Sequence, residues 1–307
     1  MPNRYQKTIC GEVSLDGVGL HTGISSTLKI KPAKENSGLI FKRVDLKYNP
    51  TVPVDVNNVV ATNRGTILER DGVCIHTVEH VLAALKGLGI DNAKIEISGP
   101  EPPIMDGSAL PFVQKIKEVG ITKQAAIQDV FKVIEPIHLS DSDNDIEINI
   151  VPADQFKITF FMDYNLPNFG LQYASIENVE IEFYRDIAPA RTFGLLSEIV
   201  QLKQNGLIKG GNLENAVIIV DKKVDKKERN ILSKLFGLNT QLVFKNGDIL
   251  NSEGLRFENE PVRHKVLDLV GDLALLDKPI VGHVIAVRSG HRTNIELVKK
   301  IKEKIEI

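Results

Sequence analysis

The segment from residue 261 to residue 276 constrains the fold most, because it predicts a helix that is apolar on almost every side. Its core stripe consists of Val262, Val266, Leu269, Val270 and Leu273. On the opposite side His264, Asp268 and Asp272 follow one another at intervals of four residues, which aligns them along one face. Because Leu267 and Leu275 flank that face, we expect the helix to be buried together with its carboxylates.

Buried carboxylates require compensation of their charge, and a divalent cation would provide it. His264 and Asp268 can chelate one metal ion from successive helical turns, and a third ligand from elsewhere would leave a position open for water, as in catalytic zinc sites. The chain has two cysteines, Cys10 and Cys74, without a CxxC spacing, so neither a disulfide framework nor a thiolate zinc site is supported. We interpret both as small buried side chains, and the metal ligands must therefore be His, Asp or Glu.

A second candidate region is the start of a helix predicted over residues 77–86. Thr77 is a plausible N-cap, and Glu79 lies in the first turn, where the helix macrodipole favours an anion. The adjacent Glu79 and His80 can supply a general base beside a metal ligand, although capping and core packing would account for the same residues. His76 and His80 also have the spacing of a metal pair, but His76 precedes the N-cap, so helical spacing does not apply to it.

A third candidate is His291, in a segment predicted as the end of a strand followed by a glycine turn. Asn294 is expected to cap the helix that comes next. A histidine on a loop is usually a surface residue, but a titrating imidazole near a metal is also the most common general acid. Both interpretations of His291 stay open from the residues alone.

The order of elements predicts an α+β protein, and the 307 residues suggest two domains of ordinary size. In the first half, strands are predicted at residues 26–30, 38–41 and 94–97, and helices at 77–86 and 111–119. In the second half, strands are predicted at 131–139, 147–151, 157–161 and 281–288, and helices at 195–205, 261–276 and 294–303. Residues 121–129 are polar and lack a clear period, so we place the domain boundary there, between residues 1–127 and 128–307.

The charge balance limits the partners of this chain. A formal net charge of -2 argues against nucleic acid or an anionic membrane surface as a partner. No stretch approaches the ~20 apolar residues that span a bilayer, and residues 1–9 lack an apolar core of signal-peptide length. We therefore expect a cytoplasmic protein without an integral membrane segment. The charged run 222–234 is interpreted as a solvated surface excursion.

Taken together, these residues and several further motifs resemble one family, the zinc-dependent UDP-3-O-acyl-N-acetylglucosamine deacetylases, which perform the committed step of lipid A (lipopolysaccharide) biosynthesis in Gram-negative bacteria. The resemblance extends over nearly the whole chain. The matching segments are residues 17–23 (GVGLHTG), 77–80 (TVEH), 103–108 (PIMDGS), 188–194 (APARTFG), 207–211 (LIKGG), 263–272 (RHKVLDLVGD) and 289–291 (SGH).

The resemblance implies a single zinc ion per chain, held by His80, His264 and Asp268, and iron could replace it. It implies that Glu79 is the general base and that His291 is the general acid or an electrostatic stabiliser. The family fold that it implies is two α+β domains of similar topology. Each is a β-sheet layered on α-helices, and the active site lies at the domain interface.

The resemblance also implies supporting roles for further residues. Asp272 would orient His291, Thr192 would assist the tetrahedral oxyanion, and Phe193 would lie beside the sugar. Lys265 and Arg288 match positions near the diphosphate and uridine. Lys265 is expected to take part in catalysis as well. The residues after Phe193, with Leu207 among them, correspond to an apolar passage for the acyl chain, although ordinary helix packing would explain the same period.

This chain departs from the family pattern in two places. Residues 163–167 (DYNLP) stand where the family often has a His-Pro pair, and Tyr164 is therefore only a candidate for stacking on uridine. Residues 222–250 are longer than usual and resemble a branch of the family with a fused hydroxyacyl-carrier-protein dehydratase. Because this chain ends at Ile307, we expect no dehydratase domain in it.

The implied reaction is hydrolysis of the N-acetyl group of UDP-3-O-(3-hydroxyacyl)-N-acetylglucosamine, with release of acetate. The expected partner is therefore a UDP-linked acylated glucosamine, and we expect a monomer. One alternative is a sugar-nucleotide-binding homologue that has lost the metal. Another is a different zinc amidase or peptidase, although the chain lacks an HEXXH pair.

Overall fold

The computed structural model of this chain describes residues 4–164, 170–236 and 249–306. The strands of the first half are β1 (Tyr5–Ile9), β2 (Val13–Val18), β3 (Ser25–Pro32), β4 (Leu39–Arg43), β5 (Thr51–Pro53), β6 (Val59–Ala61), β7 (Ile67–Arg70), β8 (Val73–Ile75), β9 (Ala93–Ile97) and β10 (Ile121–Ile127). The strands of the second half are β11 (Phe131–Lys132), β12 (Ile137–Asp141), β13 (Ile146–Val151), β14 (Phe156–Asp163), β15 (Leu171–Ile176), β16 (Phe193–Leu195), β17 (Val217–Ile219) and β18 (Ile280–Val287). The helices are α1 (Glu79–Gly87), α2 (Leu110–Val119), α3 (Val179–Glu182), α4 (Leu196–Gln204), α5 (Lys226–Phe236), α6 (Glu260–Leu273) and α7 (His291–Glu306).

The main sheets of the two halves have the same strand order. The first sheet is ordered β2-β3-β9-β4-β5, and the second is ordered β12-β13-β18-β14-β15, with β11 also pairing with β18. The central strand, β9 in the first sheet and β18 in the second, is antiparallel to one neighbour and parallel to the other. The expected α+β class with two sheets of similar topology is therefore confirmed.

The helices repeat in the same positions as the strands. In the first half α1 precedes the central strand β9 and α2 follows it, and in the second half α6 precedes β18 and α7 follows it. Before α1, β6–β8 form a small separate sheet, which we call the first insertion. Before α6, the segment from α3 to α5 forms the second insertion. Helices α1 and α6 hold equivalent places in the two halves and pack against each other.

Burial along the elements follows their periods. In β3 the buried residues are Ser26, Leu28 and Ile30, two apart, so one face of the strand meets the core. In α6 Pro261 lies in the first turn, where its missing amide hydrogen costs no helical hydrogen bond. A single large core contains buried side chains of both halves, among them Phe41 and Phe160. The second insertion has a smaller core of its own.

Two local expectations are wrong. Residues 121–127 of the segment expected to be irregular form β10, which pairs antiparallel with β1, a partner more than a hundred residues away in sequence. The strand expected over residues 131–139 is divided into β11 and β12. Pro136 lies in the interruption, and proline cannot donate a hydrogen bond to a neighbouring strand.

Three further expectations concern the cysteines, a membrane-spanning helix and the charged run 222–234. Cys10 is exposed and Cys74 is half-buried, so the expectation that both are buried is wrong. In the described parts of the chain, no helix has the length and apolar character needed to cross a membrane. The charged run 222–234 forms the loop before α5 and most of α5 itself.

Candidate metal centre and active site

Glu79 and His80 are buried at the start of α1. The residue that begins this helix is not the expected one. Thr77 has a φ of 50°, and its hydroxyl donates to Oε1 of the buried Glu101 at 2.7 Å. The N-cap position is Val78, which has no side chain that can cap the helix. The expectation that Thr77 is the N-cap is therefore wrong, because a carboxylate from a distant loop binds its hydroxyl instead.

Helices α1 and α6 approach so closely that glycine is required at their crossing. A Cβ added to Gly271 would overlap the carbonyl oxygen of Glu79. The absence of a side chain at Gly271 lets the start of α1 lie directly against the middle of α6. This contact brings His80 of α1 to the polar face of α6.

His80, His264 and Asp268 form a buried cluster between the two helices. The ligand atoms of the three residues all lie within 4.8 Å of one another. The imidazole centroids of His80 and His264 are 5.1 Å apart, and Nε2 of His264 lies 3.3 Å from Oδ1 of Asp268. This group of three could hold one metal ion, and it unites one ligand from the first half with two from the second.

The protonation of these residues suits a divalent cation. Burial and the neighbouring His264 lower the pKa of His80 to about 3, so its imidazole is neutral. Burial opposes ionisation of Asp268, but the positive charge of Lys265 holds the pKa of Asp268 well below the usual range. Nδ1 of His80 is buried and has no hydrogen-bond partner in the described part of the protein. Neutral imidazoles and an ionised carboxylate are the forms in which these side chains bind zinc.

Glu79 lies beside the cluster and accepts a hydrogen bond from the backbone N–H of Thr66 at Oε2, 3.0 Å away. Its side chain is almost fully buried. Burial raises the pKa of Glu79 to about 7, with the nearby carboxylates Asp272 and Asp268 raising it and His291 opposing them. A carboxyl group with this pKa can both accept and release a proton near neutral pH.

His291 is the first residue of α7 and its side chain is largely buried, so its expected position on a turn before the helix is wrong. Its Nδ1 lies 2.8 Å from Oδ2 of Asp272, and its Nε2 lies 3.8 Å from Oε1 of Glu79. Burial disfavours a charged imidazole, but the carboxylates of Asp272, Asp268 and Glu79 together raise the pKa of His291 to about 9. The imidazole is therefore a cation at neutral pH.

Asp272 is fully buried and accepts hydrogen bonds from three groups. Thr66 Oγ1 donates to Oδ1 at 2.6 Å, and Asn294 Nδ2 donates to Oδ2 at 2.8 Å beside His291. Because α7 begins at His291, Asn294 lies inside the helix and does not cap it, so that expectation is wrong. Its side chain binds Asp272 instead. Lys265 supports the other acidic residue of the row, since its Nζ donates to Oδ2 of Asp268 at 2.8 Å.

Two aromatic residues lie along one wall of the cluster, Phe193 from the second insertion and Tyr164 from the segment after β14. Phe193 makes an edge contact with His264 at a centroid distance of 6.3 Å, and Tyr164 makes a similar contact with Phe193 at 5.8 Å. Thr192 is anchored through its backbone, donating to the carbonyl of Gly107 and accepting from the N–H of Val217. The remaining residues of the segment expected to contact uridine, 165–167, lie outside the described part of the chain.

An apolar cavity of about 80 Å³ begins at Thr192 and Phe193 and extends under the second insertion. Its apolar lining includes Leu20, Ile199, Leu202, Ile208, Ala216 and Ile218. Leu207 is half-buried and is not among the lining residues, although both Leu202 and Ile208 are. Arg288, at the end of β18, directs its guanidinium to the exposed Asp145 at 3.4 Å and not to the cluster.

Two residues of this site were not expected from the sequence. Thr66 joins Glu79 to Asp272, but it lies 206 residues from Asp272 and no local pattern marks it. Glu260 is fully buried and precedes His264 by four residues, so it extends the polar row of α6 by one turn. The same spacing that identified Asp268 and Asp272 could have identified Glu260.

Comparison with known proteins gives a consistent result. A sequence profile of the UDP-3-O-acyl N-acetylglycosamine deacetylase family matches residues 6–236 and 222–303. The chain is 40% identical over 297 residues to a UDP-3-O-acyl-N-acetylglucosamine deacetylase of Syntrophotalea carbinolica, covering 97% of this chain and 87% of that protein. It is 38% identical over 301 residues to the protein of the same name from Myxococcus xanthus, covering 98% and 87%.

The chain is also similar to longer proteins. It is 43% identical over 300 residues to the bifunctional enzyme LpxC/FabZ of Chlorobaculum tepidum, which covers 97% of this chain. It spans only 64% of the length of that relative, and 65% of the bifunctional relative from Bacteroides thetaiotaomicron.

Proposed function

Because this chain belongs to the UDP-3-O-acyl N-acetylglycosamine deacetylase family, we propose that it is a zinc-dependent hydrolase that removes the N-acetyl group from UDP-3-O-(3-hydroxyacyl)-N-acetylglucosamine and releases acetate. The observation that carries this proposal is the buried group of His80, His264 and Asp268 with Glu79 and His291 at its side. Two imidazoles and one carboxylate leave a coordination position open, as catalytic zinc sites require.

The metal would be held by His80, His264 and Asp268, and such N/O ligands also accept iron. When bound, zinc supplies a Lewis acid that acidifies water and polarises a carbonyl group. Lys265 donates a hydrogen bond to Oδ2 of Asp268, and its positive charge keeps Asp268 ionised within the protein.

Glu79 acts as the general base in this proposal and takes a proton from the attacking water. The backbone N–H of Thr66 binds Oε2, which orients the carboxylate and leaves Oε1 for the proton. A pKa of about 7 allows Glu79 to be ionised in part of the molecules at neutral pH and to hold the proton after attack.

His291 provides a positive charge close to Glu79, beside the candidate ligands. Asp272 binds Nδ1 and leaves Nε2 directed toward Glu79. The protonated Nε2 can stabilise the negative charge of the tetrahedral species or donate its proton to the leaving amine. Thr192 would contribute to binding the same negative charge, and its fixed backbone supports that role.

The substrate would extend from the cluster along the second insertion. Phe193 and Tyr164 form an aromatic wall beside His264 that suits contact with a sugar or a base. The apolar cavity next to Thr192 suits the fatty acyl chain, with Leu207 at its border. Lys265 and Arg288 are proposed to bind the diphosphate and uridine, which for Arg288 requires release from Asp145.

The proposal includes the broader context of the reaction. We assign residues 1–127 and 128–307 to two domains, supported by the shared strand order of the two sheets. We expect a monomer that acts in the cytoplasm in lipid A biosynthesis of a Gram-negative bacterium. The two cysteines are unpaired, which is typical of proteins in a reducing compartment.

The proposed function is tested by acetate release from UDP-3-O-(3-hydroxyacyl)-N-acetylglucosamine. The assay uses untreated protein, protein stripped by a chelator, and stripped protein with zinc restored. Activity that disappears with the metal and returns with zinc supports the proposal. A protein that binds the substrate but stays inactive with zinc restored would instead be a sugar-nucleotide-binding homologue.

A further inference from the structure

Glu260 is a buried carboxylate that takes part in neither the metal cluster nor the proton transfers. It accepts three hydrogen bonds from Arg191, namely from the backbone N–H at 3.0 Å, from Nε at 2.8 Å and from Nη2 at 3.1 Å. The backbone N–H of Arg256 adds a fourth at 2.6 Å. The side chains of Arg191 and Glu260 are 3% and 0% exposed.

A buried ion pair of this kind needs an explanation other than stability. Removing two charges from water costs free energy that their attraction often does not recover, and apolar residues of similar volume can replace such pairs without loss of stability. Breaking the pair on one side is expensive, because it leaves a buried charge without a partner. The reason for this buried pair must therefore be sought in what Arg191 and Glu260 hold in place, not in the stability that their attraction adds.

The residue before Arg191 contacts a candidate metal ligand directly. The carbonyl oxygen of Ala190 lies 3.0 Å from Nδ1 of His264. A carbonyl oxygen can only accept, so Nδ1 must carry the hydrogen, which leaves Nε2 as the ring nitrogen that can bind a metal. Nε2 is the atom that faces Asp268 within the cluster.

Helix α6 therefore binds the segment 190–191 at two points, one helical turn apart. Glu260 binds Arg191, and His264 binds the carbonyl of Ala190. On the other side, the backbone N–H of Thr192 donates to the carbonyl of Gly107 at 2.7 Å. The ion pair thus fixes Arg191 between its two neighbours in the chain. The carbonyl of Ala190 before it orients His264, and Thr192 follows it.

We propose that Arg191 and Glu260 are positioning residues that hold the Ala190 carbonyl against His264 and so preorganise the metal centre. This inference rests on the proposed function, since it takes the cluster as a metal site. Groups that orient a histidine ligand typically change metal affinity by about 10–100-fold when they are removed. We expect a loss of that size from a pair that does not touch the metal.

The test measures the dissociation constant of Zn²⁺ for the stripped full-length protein by competition with a chelator. The variants are Glu260→Gln, which keeps the shape and removes the charge, and Arg191→Lys, which keeps the charge and removes the planar fork. The control is Asp45→Asn, which breaks a pair of similar geometry with the buried Arg43, away from the cluster. The unfolding free energy of each metal-free variant is measured in parallel.

The proposal predicts that both variants raise the Zn²⁺ dissociation constant by about 10–100-fold, while Asp45→Asn leaves it unchanged. Unchanged zinc affinity in Glu260→Gln and Arg191→Lys, with wild-type protein binding zinc tightly, overturns the positioning role only. A wild-type protein that does not bind zinc overturns the proposed function itself. Failure of both variants to fold would show that the pair serves the fold as a whole, which also contradicts the proposal.

Discussion

The two halves of this molecule share one framework but contribute differently to the candidate active site. Each half has the same order of strands, with a helix before and a helix after the central strand. From the first half, α1 contributes Glu79 and His80. From the second half, α6 contributes His264, Asp268 and Asp272, and α7 begins with His291. The repeated framework brings equivalent helices into contact, and the sequence of each half then determines which groups they carry.

The insertions differ more than the frameworks. The first insertion is a small sheet that brings Thr66 between Glu79 and Asp272. The second insertion is larger and brings Thr192, Phe193 and the lining of the apolar cavity. Each insertion lies between the last outer strand of its sheet and the helix that carries candidate ligands. Two halves with the same order of elements can therefore form an asymmetric site, because different insertions occur at equivalent points of the two halves.

The largest effects are expected from removing one candidate ligand from each half. His80→Ala and Asp268→Ala should each lower zinc affinity by more than ~100-fold, which exceeds the usual cost of losing a group that only orients a ligand. Zinc content after dialysis and chelator competition measure this. His138→Ala, which changes an exposed histidine of β12, is the control. Full zinc occupancy in Asp268→Ala would refute the ligand assignment.

The next largest effect is expected on catalysis alone, with metal binding unchanged. Glu79→Gln should lower kcat by about 10²–10⁴-fold, the usual contribution of a general base, while zinc content stays at the wild-type level. Steady-state acetate release and metal analysis on the same samples separate the two effects. Glu69→Gln in the first insertion is the control, since Glu69 accepts a hydrogen bond from Cys74 and has no place in the proposed site. An unchanged kcat in Glu79→Gln would rule out its role as the base.

A smaller effect is expected at the crossing of the two equivalent helices. Gly271→Ala introduces a Cβ that overlaps the Glu79 carbonyl, and overpacking of this kind costs about 1–3 kcal/mol. Because the clash displaces α1 from α6, zinc affinity should fall together with the free energy of unfolding. Denaturant unfolding of the metal-free protein measures the stability. Gly290→Ala is the control, because a Cβ there has no atom within 4 Å. Equal stability of both variants would contradict the tight crossing.

The smallest effect is expected where the two insertions meet at the surface. Arg64 in the first insertion makes two hydrogen bonds to Glu198 of α4, and the side chains are 43% and 35% exposed. Glu198→Gln should change the free energy of unfolding by less than about 1 kcal/mol, and less at high salt. A large loss that persists in high salt would show that the insertions are coupled through more than this exposed pair.

The parts of the site that lie on one helix could be predicted from sequence. The period of α6 places His264, Asp268 and Asp272 on one face, and its apolar flanks indicate their burial. These conclusions need only local geometry. The fold class followed for the same reason, since alternation and helical periods identify most strands and helices.

Features that depend on distant partners could not be predicted. Thr77 has the composition of an N-cap, but the buried Glu101 binds its hydroxyl and moves the helix start to Glu79. Residues 121–127 look irregular alone and become a strand because β1 pairs with them. Thr66 has no local signal, since its role depends on two residues that the fold brings together. A helix period describes one element, whereas these contacts depend on how elements pack.

The central claim is that the equivalent helices of the two halves hold one metal ion between them. The most direct measurement is a crystal structure of the zinc-loaded protein with anomalous data collected at the zinc edge. The account predicts a single strong peak about 2.0–2.2 Å from a nitrogen of His80, a nitrogen of His264 and a carboxylate oxygen of Asp268. A peak bound by residues of α6 alone, or zinc bound only elsewhere in the protein, would contradict it.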